Sequence, residues 1–468
     1  MYDLLLKGAH VVDPLNGVNG VNDVAVEGGK VAAVGPDLTG PASEVIDVSG
    51  WVLQPGIIDS HVHLGSMWGS PYGPRMLAMN GVTTCLDMAG PLDDILEKTP
   101  QYGAGLNTAI LQFASPPFTF KTNAPSKAEM VELIDKSLAE GALGVKLLGG
   151  HYPLTPEVSS TLIKTALERR AYVAWHAGTS AHGSNLEGMI EAVQMADGYP
   201  LHLAHINAYC RGAIKNEIDE ARTAIELLNA NPNIFSESYI SPKNGTRLTC
   251  GPDGKIQSKV TGNCLRHFGF TEDRDGVRKA LLAHKAFAVY DAGGYSDLMT
   301  GEDAVKLWES HNTDVGGSFN INPPIPRILL AQVKRPDGAF VVDAISTDGG
   351  CIPRNVILSQ GLSLVKLDVL TLTEFAQKTS LNPARMLRLT AKGHLSVGAD
   401  ADITIYDYAT QTPKMSFVEG RKVLFKGEVL GKNANIICTE RGQKAIEARG
   451  LKAIVVDPGL PVDRVKAL

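Results

Sequence analysis

The stretch Gln54-Pro55-Gly56-Ile57-Ile58-Asp59-Ser60-His61-Val62-His63 decides the fold, because an apolar strand here ends in a His-x-His pair. Side chains in a strand alternate between its two faces, so His61 and His63 point to the same side. Two imidazoles that converge on one point can supply two ligands to a divalent metal. A His-x-His on an exposed strand is more often ordinary surface, so the pair gains weight only from further ligands at matching positions.

From Pro55 onward, strand-like runs alternate with helix-like segments such as 127–140, 159–169 and 186–195. This alternation is typical of a parallel sheet with crossover helices. Eight candidate strands follow one another, the number that closes a TIM barrel. They cover residues 57–63, 82–88, 108–113, 143–147, 172–176, 201–205, 234–240 and 341–346. The sequence therefore predicts an α/β fold, with a (β/α)8 TIM barrel over residues 54–395.

Short strand-like runs separated by Gly and Asn turns occupy residues 1–53 and return in residues 396–435. Neither segment is long enough to bury a core alone, so the two chain ends are predicted to build one small composite β-sandwich together. A polar, glycine-rich insertion at about 244–340 interrupts the barrel, and a loop of this length usually covers the mouth or forms an interface. Residues 436–468 form a C-terminal tail of mixed character.

The composition favours a protein that acts on a small molecule. The chain has 468 residues, 44% of them hydrophobic, and a formal net charge of -6 without a basic stripe, which speaks against nucleic acid or an anionic membrane as main partner. No run reaches the roughly 18 apolar residues of a membrane helix, and the N-terminus does not resemble a signal peptide. The six cysteines form no Cys-x-x-Cys pair and are expected to be reduced thiols of a cytoplasmic protein. A homo-oligomer is compatible with this composition.

Further polar residues stand where the predicted strands end. Lys146 ends the fourth strand, His176 the fifth and His205 the sixth, at intervals of 30 and 29 residues, or one βα unit each. Asp348 follows the eighth strand. The C-terminal ends of all strands face one mouth of a closed barrel, so these side chains are expected to meet the His-x-His pair there.

Such a set of residues predicts two divalent metal ions, with zinc as the first choice. Four imidazoles and one carboxylate exceed the three protein ligands of a mononuclear catalytic zinc. A lysine buried among cations has a lowered pKa, and its neutral amine can take up CO2 to become a carbamate with two oxygens that bridge two metals. Lys146 would then be a carboxylated lysine. The alternative is a lysine whose stem lies along the barrel rim with its amine in solvent.

With these residues the chain resembles the amidohydrolase superfamily, in its binuclear-metal type. The run from Pro55 to His63 matches the opening motif, and Asn382-Pro383-Ala384 and Gly398-Ala399-Asp400-Ala401-Asp402-Ile403 match the late signatures. Lys146 falls where that type has its carboxylated lysine, and the other strand-end residues match its further ligands. The resemblance covers residues 1 to about 430 and implies a TIM barrel with a composite β-sandwich. It also implies metal-dependent hydrolysis of a non-peptide C–N bond, in a small cyclic amide or an N-acyl amino acid.

The subfamily stays open. The run Glu237-Ser238-Tyr239-Ile240, then Gly245-Thr246 and the long insertion resemble the N-acyl-D-amino-acid deacylases. Those enzymes typically use a cysteine after the second strand as metal ligand, whereas Cys85 lies inside the second strand and is expected to belong to the core. The presence of Lys146 favours a hydantoinase-like or dihydroorotase-like centre. The run from Thr373 to Ile405 resembles the amidohydrolase-like subunit of formylmethanofuran dehydrogenases.

The predicted mechanism follows from charge. Two metal ions lower the pKa of a bound water from about 15.7 towards 7, so a hydroxide that bridges them can attack a substrate carbonyl. Asp348 is predicted to take the proton from this hydroxide and pass it to the departing nitrogen. His151 or Tyr152, five and six residues beyond Lys146, is the candidate donor to the oxyanion, although loop residues of this kind are more often ordinary surface.

Four further residues are candidates for substrate binding: His182, Arg211, Arg247 and Arg354. The three arginines follow the sixth, seventh and eighth strands and could hold a substrate carboxylate with two parallel hydrogen bonds. As isolated residues they are more often surface charges, and His182 is equally compatible with a solvated loop. His202 alternates away from His205 and is expected to face the helix layer.

Two other functions remain open from the sequence. A deaminase of an N-heterocycle would need no carboxylated lysine, so Lys146 counts against it. A formylmethanofuran-dehydrogenase-like complex subunit without activity of its own would be expected to have lost metal ligands, and every ligand position is filled here.

Overall fold

Strands and helices alternate through the middle of the chain in the computed structural model, which describes residues 1–462 and 464. The strands are β1 Tyr2–Asp13, β2 Val18–Glu27, β3 Lys30–Gly35, β4 Ala42–Asp47, β5 Val52–Pro55, β6 Ile57–His63, β7 Val82–Asp87, β8 Ala104–Ala114, β9 Gly144–Leu148, β10 Tyr172–His176, β11 Leu201–Leu203, β12 Ile234–Tyr239, β13 Thr246–Arg247, β14 Ala286–Asp291, β15 Ser296–Met299, β16 Gly316–Phe319, β17 Ala344–Ser346, β18 Gly349–Gly350, β19 Ile403–Asp407, β20 Thr412–Val418, β21 Arg421–Phe425, β22 Glu428–Val429, β23 Asn433–Cys438 and β24 Lys452–Val455.

The α-helices lie mostly between the strands of the barrel. They are α1 Gly73–Met79, α2 Leu92–Tyr102, α3 Lys127–Glu140, α4 Pro156–Glu168, α5 Leu186–Ala196, α6 Glu217–Ala230, α7 Lys259–His267, α8 Arg274–Leu282, α9 Glu302–Ser310, α10 Pro324–Gln332, α11 Ile357–Lys366, α12 Leu372–Ala376, α13 Asn382–Met386 and α14 Gln443–Ala448. Short 3-10 turns cover Ser66–Trp68, Ile206–Tyr209 and Glu440–Gly442, and a π-helical turn covers Gln377–Leu381. Side-chain caps begin several of the helices: Ser126 starts α3 with a capping box, and Thr155 starts α4.

The predicted TIM barrel is confirmed. Seven parallel strands, β6 to β12, pair in chain order, and the eighth consists of two short pieces. The first piece, β17, pairs with β12, and the second, β18, pairs with β6, so the sheet closes on itself. The Asp348 amide donates to the His61 carbonyl at 2.9 Å across this closure. All eight predicted strands are present, the seventh included.

A second sheet joins the two ends of the chain. Its strands run in the order β22-β21-β20-β19-β5-β1-β2-β3, with β4 added beside β1. One apolar cluster lies against it and takes side chains from both ends, among them Leu6, Val11, Ile403 and Phe417. This sharing explains why neither end needs a core of its own.

The insertion has a core of its own. Four short strands in the order β13-β16-β14-β15 pack with α7, α8 and α9 around Leu265, Trp308 and Phe319. The Trp308 indole donates to the Leu248 carbonyl at 2.9 Å. The insertion is therefore a structured cover beside the barrel mouth.

The last part of the chain returns to the barrel. The strand β23 pairs in parallel with β8 and with β24, so the residues from Asn433 extend the barrel sheet. Residues 433–435, which the sequence assigned to the sandwich segment, thus lie in a strand of this extension. Arg464 Nε donates to Asp343 Oδ1 at 2.7 Å, and Asp343 is the residue just before β17. Residues 463 and 465–468 of the predicted tail lie outside the described residues.

No helix in the described part of the chain combines the length and the apolarity needed to cross a membrane. The six cysteines are all free thiols.

Candidate metal centre

The His-x-His pair ends β6 and faces the carboxylate of Asp348. His63 Nε2 lies 2.9 Å from Asp348 Oδ1, and His61 Nε2 lies 3.4 Å from the same oxygen. One potential ligand atom from each of the three buried residues lies within 4.8 Å of the others. Asp348 sits between β17 and β18 with a φ of 51°, a left-handed conformation that aspartate tolerates better than most residues. The break in the eighth strand thus turns this carboxylate towards the two imidazoles.

The histidines of the fifth and sixth strands form a second pair beside the first. His205 Nε2 and His176 Nδ1 are 2.9 Å apart, and the His205 ring stacks on His61 with centroids 5.1 Å apart. The other nitrogen of His176, Nε2, lies 2.7 Å from the Ser184 hydroxyl. The four imidazoles therefore form one continuous cluster.

Burial keeps the imidazoles of His61, His176 and His205 neutral. It lowers the pKa of His61 and of His176 well below the ordinary value, and it lowers the pKa of His205 to about 3. A neutral imidazole has a lone pair to offer, which is the form that binds metals. The Nδ1 atom of His205 is buried and has no hydrogen-bond partner within the described residues. The donor set therefore fits divalent metal ions.

Lys146 lies at the end of the fourth strand and is 1% exposed. Its Nζ contacts Met88 Sδ at 3.0 Å, and among the described residues Lys146 takes part in no ion pair, although Glu237 and Asp348 are near enough to act on its charge. Burial lowers the pKa of Lys146 to about 8, which leaves a neutral fraction near neutral pH. The amine is thus a buried nucleophile next to the imidazole cluster.

A buried carboxylate that the sequence reasoning did not place in the site lies beneath the cluster. Glu237 Oε1 is 2.7 Å from His61 Nδ1 and 2.6 Å from the His205 backbone nitrogen. Its other oxygen accepts from the Ser346 hydroxyl. The signal available in the sequence was a glutamate inside a strand of a barrel interior, since charged residues are rarely buried without partners.

Arg354 lies against Asp348. Its Nη2 is 2.6 Å from Asp348 Oδ2, and its guanidinium stacks over the Tyr239 ring with 4.9 Å to the centroid. Burial raises the pKa of Asp348, but Arg354 and the two imidazoles of the first strand lower it further, so that it lies well below its usual range. The Arg354 guanidinium is therefore occupied by a residue of the centre, which leaves less of it to bind a substrate carboxylate.

A cavity of about 1130 Å³ opens above the centre and places most of the predicted site residues together. Its wall includes His151, Tyr152, Arg211 and Arg247 as well as residues of the insertion. The Arg211 guanidinium is held by the Tyr239 hydroxyl and the Asn322 side chain, each at 2.8 Å. Arg247 is exposed and pairs with Asp314.

The structure does not bring His182 into the cavity wall. Its side chain is exposed, and Nδ1 lies 3.8 Å from the Glu187 carboxylate. Cys85 is buried in a hydrophobic cluster, with Sγ 3.6 Å from the Thr108 hydroxyl, and does not line the cavity. This position agrees with the core role expected from the sequence.

The expectation that His202 faces the helix layer is wrong. His202 is buried, its Nδ1 lies 2.8 Å from the Tyr172 hydroxyl, and its Nε2 lies 3.9 Å from Glu237. Strict alternation would have put His202 and His205 on opposite faces, but β11 ends at Leu203 and His205 has a φ of 36°. This left-handed residue turns its side chain back into the mouth, so both histidines lie inside the barrel.

Known proteins are similar to this chain in sequence and in fold. Residues 363–430 match the model of the Amidohydrolase family. A dihydroorotase of Geobacter metallireducens is 25% identical over 86% of this chain and 90% of its own length. An allantoinase of Deinococcus radiodurans is 26% identical over 94% of this chain and 98% of its own length.

Three solved structures have the same fold at low identity. An N-acyl-D-glutamate deacylase of Bordetella bronchiseptica, complexed with zinc and a phosphonate inhibitor, has a TM-score of 0.67 at 15% identity, and a D-aminoacylase with a binuclear metal centre has 0.65 at 18%. Both alignments cover 93% of this chain and 99% of the other. A chain of the formyltransferase/hydrolase complex of Methylorubrum extorquens has 0.62 at 18%, with 95% and 94% covered.

Proposed function

We propose that this chain, a member of the amidohydrolase superfamily, is a metal-dependent hydrolase of a non-peptide C–N bond in a small cyclic amide or an N-acyl amino acid. The observation that carries the proposal is the contact of the His61, His63 and Asp348 triad with a second histidine pair in the barrel mouth. The names dihydroorotase and allantoinase of the full-length relatives support a cyclic amide, and the deacylase structures support an N-acyl amino acid.

We propose two divalent metal ions, with zinc as the first choice. His61, His63 and Asp348 would hold one ion, and His176 and His205 the other. Bound divalent ions lower the pKa of a water molecule and polarise a carbonyl oxygen. Support for two ions comes from the donor set, which exceeds the three protein ligands of one catalytic zinc.

A carboxylated Lys146 is the proposed bridge between the two groups of ligands. Lys146 is buried and takes part in no ion pair of the described residues, while the nearby carboxylates of Glu237 and Asp348 raise its pKa less than burial lowers it. The neutral amine would add to the carbon of CO2 and release an N–H proton to water in the cavity, which would leave an anionic carbamate. Such an anion suits a site in which two cations gather.

Asp348 is the proposed proton shuttle. Arg354 fixes Oδ2, so Oδ1 is the oxygen left facing His61 and His63. This oxygen can accept a proton from the nucleophilic water and deliver it to the departing nitrogen. Arg354 is therefore proposed to orient Asp348, in place of the substrate contact expected from the sequence.

The cavity wall offers donors for the rest of the substrate. Burial lowers the pKa of His151 to about 4, so its imidazole is neutral, and its ring lies 5.3 Å from the His176 ring. His151 and Tyr152 both line the cavity and are the proposed donors to the developing oxyanion. Arg211 touches two neutral oxygens, so its charge is available to a substrate carboxylate. Arg247, which is exposed and paired, is a weaker candidate for the same contact, and His182 a weaker one still.

The experiment that tests this proposal is a hydrolysis screen of the zinc-loaded protein against hydantoins, cyclic imides, dihydroorotate, allantoin and N-acyl-D- and N-acyl-L-amino acids. We expect turnover of at least one compound, loss of that turnover on chelation, and recovery when zinc is returned. His63→Asn should remove it, whereas His10→Asn, at a half-buried histidine of β1 in the second sheet, should not. A metal-loaded protein that hydrolyses none of these compounds would contradict the proposal.

A subunit of a larger complex is the second candidate. The likeness to a chain of the formyltransferase/hydrolase complex, over 95% of this chain, supports it. Co-purification of a stable partner from the native host, together with a silent screen, would favour it over a free-standing hydrolase. The buried Lys146 disfavours a deaminase of an N-heterocycle, which would need no carboxylated lysine. That the protein forms a homo-oligomer and that it is cytoplasmic are predictions from its sequence.

A further inference from the structure

We propose that Glu237 is a positioning residue that ties the two metal subsites together, an inference that rests on the proposed function. Glu237 lies in the interior of the barrel on β12 and is fully buried. It contacts one proposed ligand of each ion: the His61 imidazole at 2.7 Å and the His205 backbone amide at 2.6 Å. A single carboxylate therefore joins β6, the first strand of the barrel, to the residue His205 that follows β11, the sixth strand of the barrel.

The contacts of Glu237 fix the tautomer of His61. As a carboxylate Glu237 has no proton to donate, so its Oε1 accepts from His61 Nδ1 just as it accepts from the His205 N–H. The proton of neutral His61 must then sit on Nδ1. The lone pair of Nε2 is left facing Asp348, 3.4 Å away, on the side where the ion would bind.

The same oxygen holds the backbone of His205. This residue has a φ of 36°, which is uncommon for a residue with a side chain, and its conformation turns the imidazole into the mouth. Its amide has no strand partner, because β11 ends at Leu203, and Glu237 supplies the acceptor. Without that acceptor the buried N–H would lose its hydrogen bond, and the strained backbone would lose a support.

Glu237 is itself held in place from the eighth strand. Its Oε2 accepts from the Ser346 hydroxyl, the last residue of β17, on the strand that pairs with β12. The carboxylate thus has three donors, from His61, His205 and Ser346, all within the barrel. A glutamate that only filled space would not accept a hydrogen bond from each of these three groups.

The test compares Glu237→Leu with Glu237→Gln. Leucine fills a similar volume without an acceptor, whereas the glutamine amide oxygen can still accept from His61 and His205 while its NH2 group donates to Ser346. We expect Glu237→Leu to weaken binding of both zinc ions about 10- to 100-fold in competition with a chromophoric chelator, and Glu237→Gln to restore most of the affinity. Glu191 is a buried glutamate outside the site that accepts from Thr179, so Glu191→Leu is the matched control.

The second measurement is the tautomer of His61 in metal-free protein, observed by nitrogen NMR of ¹⁵N-histidine-labelled samples. We expect the Nδ1–H form in the natural protein and in Glu237→Gln, and a shift towards the Nε2–H form in Glu237→Leu. An Nε2–H form in the natural protein would overturn the inference even if Glu237→Leu failed to fold, and so would natural zinc affinity in Glu237→Leu.

The two measurements separate this inference from the proposed function. A natural protein that binds no zinc would refute the metal centre, while the tautomer in the metal-free protein would still decide whether Glu237 orients His61. Zinc binding and hydrolysis with an unaffected Glu237→Leu variant would retain the proposed function and overturn the inference alone.

Discussion

Adding one methyl group to Gly150 should disable the second histidine pair. Gly150 follows β9, and a Cβ built on it would lie 2.0 Å from His176 Nε2, 2.6 Å from Cδ2 and 2.8 Å from Cε1. The backbone of Gly150 is not in the left-handed region, so alanine would be strained by this contact and not by its own conformation. Gly150→Ala is thus a perturbation aimed at one imidazole.

The size of the effect follows from the distances. An ordinary contact begins near 3.4 Å, so the His176 ring must retreat by about 1.4 Å or rotate away. It would then lose the hydrogen bond to Ser184, now 2.7 Å, which contributes about 1 kcal/mol. Overpacking adds about 1–3 kcal/mol of destabilisation. A displacement of about 1 Å at a reacting centre costs about 100-fold in rate.

The assay combines urea unfolding, zinc content and turnover of the best substrate found in the screen. We expect Gly150→Ala to fold, to bind less zinc at the His176 and His205 pair, and to lose about 100-fold in kcat/KM. Gly20→Ala is the control, because Gly20 lies in β2 of the second sheet and a Cβ on it meets nothing within 4 Å. If Gly150→Ala kept natural zinc content and turnover, His176 would not be a ligand in the position described.

Three further predictions follow from the same centre. Lys146→Ala should abolish turnover and reduce zinc content, and short carboxylic acids that mimic the carbamate should restore part of the turnover. A near-normal rate and metal content would rule out a carbamate bridge. Lys164→Ala, on the surface of α4, is the control. Asp348→Asn should keep most of the zinc while kcat falls about 100- to 10,000-fold, and an unchanged rate would remove its role as proton shuttle. Burial lowers the pKa of His205 to about 3 in the folded protein, whereas an unfolded histidine has a pKa of about 6.5. Below about pH 6.5 the unfolded state therefore binds a proton at this imidazole more readily than the folded state does. Metal-free protein should therefore lose stability on acidification, by about 2 kcal/mol for such an imidazole at about pH 5, and urea unfolding that shows equal or greater stability at pH 5 than at pH 7 would contradict this.

The barrel could be predicted from the sequence because its evidence is local. Each strand is a short apolar run, and the polar residues that mark the mouth stand at the ends of these runs. Parallel pairing then determines that Lys146, His176 and Asp348 share one edge with the His-x-His pair. The shared sheet of the two chain ends followed from their length alone. The residue boundaries between sandwich, barrel and tail stay predictions.

The features that the sequence did not reveal depend on tertiary contacts or on single backbone angles. Glu237 meets His61 across 176 residues of chain, and no local pattern shows which neighbour a buried carboxylate will find. The inward position of His202 depends on the left-handed φ of His205, which breaks the alternation used to predict it. Arg354 was assigned to substrate because its ion pair with Asp348 becomes visible only in the folded chain.

The most direct test of the metal centre is the number of zinc ions per chain in the purified, zinc-loaded protein. Inductively coupled plasma mass spectrometry measures this number after loosely bound metal has been removed. We expect about two ions per chain in the natural protein, about one in His63→Asn and about one in His176→Asn. Less than stoichiometric zinc in the natural protein, or two ions retained in both variants, would contradict the assignment of these histidines as ligands.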